Sequence, residues 1–74
     1  MINMFYALKQ KNKELYIMVD DSGVVQKTNN KKDCIVFSTE EQAQKFIEKY
    51  IDNKRYIRNK DFIEVVSVNE YELL

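Results

Sequence analysis

Histidine, proline and tryptophan are absent from this sequence, and glycine and cysteine occur once each. Without histidine there is no Ser-His-Asp or Cys-His nucleophile pair. Every zinc site that uses imidazole is excluded too, and one cysteine cannot build the all-cysteine kind. One glycine cannot make a glycine-rich phosphate loop. The lone Cys34 has no internal disulfide partner, so the fold must stand without a covalent staple, which suits a reducing compartment. No apolar run approaches the roughly 18 residues of a membrane span. Near Met1 the longest apolar stretch is Met4 to Leu8, and no basic-then-apolar leader pattern precedes it. The expectation is a cytoplasmic protein, not an enzyme, that needs no cofactor or metal.

What is present describes one small domain. The 74 residues carry twelve Lys and Arg against twelve Asp and Glu. A chain of this size buries only about 60% of its unfolded surface. Apolar and aromatic content is ordinary for a globular protein. Ten lysines stand against two arginines, with seven Asn and seven Ile. These residue types share A/T-rich codons and point to an AT-rich genome.

The hydropathy pattern predicts an α+β fold of order β-β-β-β-α-β. Residues 4–9 read as a strand, Gln10 to Glu14 as a polar loop, and residues 15–19 as a second strand. Asp20-Asp21-Ser22-Gly23 is a turn: Asp suits its first position and Gly permits positive φ where the chain reverses. Residues 24–28 complete a three-stranded meander over 1–28. After a polar loop, residues 34–37 form a short strand. Ser38-Thr39-Glu40-Glu41 then has the spacing of a capping box, with acids placed where the helix dipole favours them. Ala43, Phe46, Ile47, Tyr50 and Ile51 make one apolar stripe on a helix over 39–51. Glu41 and Lys45 sit at i, i+4 on its other face. Residues 62–68 form the last strand and 69–74 an acidic-apolar tail. Residues 52–61 fit a helix end, a loop or a short strand at Tyr56-Ile57. One helix on one face of an antiparallel sheet buries that stripe. The other face is expected to be left to solvent or to a partner.

Two candidate sites follow. Tyr and Met on the sheet can make a partly apolar patch for a partner or a dimer; the candidate contacts are Tyr6, Tyr16, Met18 and Tyr56. Alternatively, Lys54, Arg55, Arg58 and Lys60 hold phosphates while Tyr56 stacks on a base of a single strand. The balanced net charge and scarcity of Arg argue for the first. The plainer readings are a solvated loop for 54–60, turn chemistry for Asp20-Asp21, and a buried structural thiol for Cys34.

The run Phe5-Tyr6-Ala7-Leu8-Lys9, the turn Asp20-Asp21-Ser22-Gly23, and the segment Val36-Phe37-Ser38-Thr39-Glu40-Glu41-Gln42-Ala43-Gln44-Lys45-Phe46-Ile47 resemble small proteins of low-GC Gram-positive bacteria, their phages and plasmids. The likeness is a fold-level pattern over about two-thirds of the chain and implies no residue roles. It implies a non-catalytic module that binds and blocks a host or defence-system protein, as inhibitors of replication, transcription or CRISPR nucleases do. A small nucleic-acid-binding accessory protein is the alternative. For a phage product the compartment would be the host cytoplasm.

Overall fold

The structure, a computed structural model, describes residues 3–51 and 63–74. It is an α+β arrangement of five antiparallel strands and one helix. β1 (Met4–Gln10) runs through the middle. Along one edge it pairs over its whole length with β5 (Ile63–Asn69), from Met4 opposite Asn69 to Gln10 opposite Ile63. Its other edge is shared. β2 (Tyr16–Val19) meets it only where Lys9 faces Tyr16. β4 (Val36–Phe37) then takes over at Ala7 and Tyr6. β2 thus splays away from β1 and β4 enters the gap, where the Ile35 N–H donates to the Ile17 carbonyl at 3.0 Å. β3 (Val25–Thr28) lies outside β2, so the predicted meander is present.

Local chemistry sets the turns. The Gln10 N–H donates to the Leu15 carbonyl at 2.8 Å, and Asn12 supplies the positive φ of that loop. In the β2–β3 hairpin, Oδ1 of Asp20 accepts from the Ser22 and Val24 N–H groups, each at 2.9 Å. Its Oδ2 accepts from the Gln26 amide. Gly23 has φ 81°, where a Cβ is disfavoured. Asp20-Asp21 is therefore turn chemistry, as its composition suggests.

The helix begins one residue later than the spacing predicts. Thr39 caps α1 (Glu40–Phe46), accepting from the Gln42 N–H at 3.2 Å. Gln42 reaches back to the Ser38 N–H at 3.2 Å. Gln42 therefore holds the residue before the cap and does not close a reciprocal box with Thr39, and Glu41 is left to pair with Lys45 at 3.2 Å. Beyond Phe46 the chain continues as a wider turn of π geometry, Ile47–Ile51.

Alternation along the strands sends apolar side chains to two cores. Leu8, Ile17, Ala43, Ile47 and Ile63 form the one beneath the helix, with Tyr6, Val25, Ile35, Phe37, Phe46 and Val65 around it. Ala7, Tyr16 and Val68 form the other, with Phe5, Cys34, Val36, Val66 and Leu73. The registers Leu8 opposite Val65 and Ala7 opposite Val66 keep the two sets apart.

The second face corrects the expectation of an open sheet. It is covered by two short 3-10 turns, Lys31–Asp33 and Glu70–Leu73. The tail is not a loose end. Asn69 accepts from the Tyr71 and Glu72 N–H groups, and the Glu72 carboxylate accepts from the Asn69 N–H. That capping box turns the chain back so that Leu73 packs with Val68 and Ala7.

Candidate functional site

The covered face disposes of part of the proposed tyrosine patch. Tyr16 is only 4% exposed. Its ring packs in the second core, its hydroxyl donates to Glu14 at 3.4 Å, and the Lys31 ammonium stands 5.6 Å from the ring centroid. Lys31 also reaches Glu72 at 3.9 Å, so the two covering turns are tied over Tyr16. A side chain so enclosed is a core residue and presents little surface for the contact role expected of it. Met18 alternates with Ile17 and so faces the side of Tyr16, half-buried. Tyr6 is half-buried on the opposite, helix-bearing side. These three residues therefore do not form one surface. Tyr56, and with it Lys54, Arg55, Arg58 and Lys60, lies outside the described residues.

Exposed apolar residues occur at several places, among them Met4, Val24, Tyr71 and Leu74, but the apolar depressions lie on the helix side. The β2–β3 hairpin reaches past the end of the sheet because β2 has parted from β1. A depression of about 360 Å³ lies between that hairpin and α1, lined by Val19, Gly23, Val25, Ile35 and Phe46. Phe46 also borders a neighbouring depression of about 340 Å³ with Phe37, Gln42, Lys45 and Lys49. The Phe37 and Phe46 ring centroids lie 5.4 Å apart with their planes tilted by 54°, within the range of favourable aromatic pairs. Val19 is 36% exposed at the first depression.

These residues were readable only in part. Phe46 belongs to the predicted helical stripe, but Val19, Val25 and Ile35 are unremarkable strand residues. What brings them together is the splay of β2 from β1, and no local pattern encodes it.

The walls are apolar. The polar groups near them are Gln42, Lys49 and the Glu41–Lys45 pair at the second depression and the hairpin turn at the first, whose Asp20 is occupied by its own backbone. Cys34 lies on the other side, packed in the second core. Burial pushes its thiol above the usual range, against smaller lowering effects from a backbone hydrogen bond and Lys31. Among the described residues, no three of Cys, Asp and Glu converge as metal ligands would. Also among the described residues, no helix is long and apolar enough to cross a membrane. Covering aromatic and branched walls such as these with another apolar surface releases water and is favourable. Compared with known proteins, the chain matches no family model, no curated protein and no solved structure.

Proposed function

We propose that this chain is a non-catalytic protein-binding module, encoded by a phage or mobile element, that blocks a host or defence-system protein by steric occlusion. The observation that carries the reading is the pair of apolar depressions around Phe46. They leave Val19, Val25, Ile35, Phe37 and Phe46 facing the space between hairpin and helix. Apolar side chains held there by a rigid sheet gain more from a protein surface than from water. The absence of histidine from the whole sequence and its single glycine support a binding role over a chemical one.

The test is capture from a lysate of a low-GC Gram-positive bacterium with the tagged full chain, with and without nuclease, read by mass spectrometry. The proposal predicts a stoichiometric protein partner whose recovery survives nuclease. Recovery that collapses on nuclease treatment would contradict it and move the site to Lys54, Arg55, Tyr56, Arg58 and Lys60. In that case binding would weaken steeply with salt, because each phosphate contact releases counterions.

A further inference from the structure

The first depression adjoins the outermost strand, and the hydrogen-bond alternation shows which way that strand's main chain faces. The hairpin closes with the Asp20 N–H donating to the Val24 carbonyl at 3.0 Å. The carbonyls of Leu15 and Ile17 accept from Gln10 and Ile35, on the side of β2 away from β3. In an antiparallel pair the bonded positions alternate. Met18 with Gln26 and Tyr16 with Thr28 are therefore the bonded pairs of the β2–β3 register, and Val19 with Val25 and Ile17 with Lys27 are not. Val25 and Lys27 thus turn their N–H and C=O groups outward. Among the described residues no strand pairs with that edge.

We propose that the outer edge of β3 accepts an added strand from the partner. The occupant is an extended segment with an apolar side chain at every second position, an acid beside Lys27 and a base toward Asp21. This rests on the protein-binding reading above and names the class of partner. Two observations carry it. The outward main-chain groups recur two residues apart, which matches a β-strand and not a helix, whose donors and acceptors are spent internally. The side chain of Val25 lines the apolar depression on the same flank. A strand laid along β3 therefore sets alternate side chains over that depression, so main-chain bonds and apolar burial are made together.

Charge fixes the segment further. Lys27 is exposed at one end of β3, and the hairpin turn at the other end carries Asp20 and the exposed Asp21. A second copy fits poorly. Four-residue strands paired about a two-fold at Gln26 would place the two Lys27 side chains diagonally, about 7–8 Å apart. Lysine on a short edge is also the usual guard against self-pairing.

The test uses the 15N-labelled full chain and a blocked heptapeptide, Lys-Thr-Val-Thr-Phe-Thr-Glu, whose apolar and charged side chains share one face as Val25 and Lys27 do. The expected result is shifts centred on Val19, Val25, Lys27 and Phe46. Exchange of the Val25 and Lys27 amides should slow at least tenfold at saturation. N-methylation of alternate peptide amides should weaken binding at least tenfold, and Lys27→Glu should switch preference to the peptide with its end charges exchanged. The inference is overturned if the peptide shifts nothing at millimolar concentration or shifts other residues. It is equally overturned if the two amides already exchange slowly in the free monomer, because the chain then covers its own edge. Should a protein captured from lysate leave both amides unprotected, the added strand is wrong while the protein-binding reading stands. Should no protein be captured while the peptide binds as described, the edge stands and the host-partner reading falls.

Discussion

Gly23 is a position where the backbone itself dictates the residue. Its φ of 81° is left-handed, and a Cβ built there meets nothing within 4 Å. The cost of Gly23→Ala is therefore conformational and not steric, about 1 kcal/mol. Chemical denaturation should show that loss with an unchanged dependence on denaturant. Cys34 makes a different prediction. Its thiol is held above its ordinary range chiefly by burial. The unfolded chain ionises first as pH rises, so the contribution is intact below the unfolded thiol's pKa and is lost as pH climbs through the higher folded value. Wild type should lose stability against Cys34→Ser across that alkaline window, and parallel pH profiles would contradict the burial. Tyr16 shows how far single residues were legible. Its place on a strand and its facing were readable from alternation. Its burial was not, because the covering comes from Lys31 and Leu73, distant in sequence from it and from each other.

The elements were legible wherever a local rule decides them. The turn at Asp20-Asp21-Ser22-Gly23 follows from side-chain bonds within four residues, and it forms as expected. The helix was legible from its stripe, but its start slipped by one because Ser38 and Thr39 compete for the same role and Thr39 takes it. Thr39→Ala should destabilise the protein by about 1 kcal/mol, the usual cost of an N-cap. Ser38→Ala should cost much less, since only the Ser38 backbone takes part. The C-terminal turn was illegible for another reason. Asn69-x-x-Glu72 is a capping box by spacing, yet a four-residue helical turn gains its stability from what it covers. Leu73→Ala should remove that cover at about 1–2 kcal/mol, below the range for a fully buried leucine. It should also raise hydrogen exchange at Tyr71 and Glu72, and unchanged exchange would mean that the turn stands without its anchor.

At the scale of the molecule, both faces of the sheet are packed, but unequally. One face is closed by two turns tied through Lys31 and Glu72. The other carries a helix too short to cover the whole sheet, so the splayed hairpin and Phe46 enclose apolar space. The α+β class and the order of elements along the chain were readable because each strand announces itself. The parting of β2 from β1 was not, since it depends on β4 entering from eighteen residues further on. The most direct test of the account is site-specific photo-crosslinking in nuclease-treated lysate of a low-GC Gram-positive bacterium. A diazirine amino acid would replace either Val19, at the depression, or Tyr71, exposed on the closed face. The account predicts one protein adduct from position 19 and none from position 71. Adducts from position 71 alone, or from neither position in a folded chain, would contradict it.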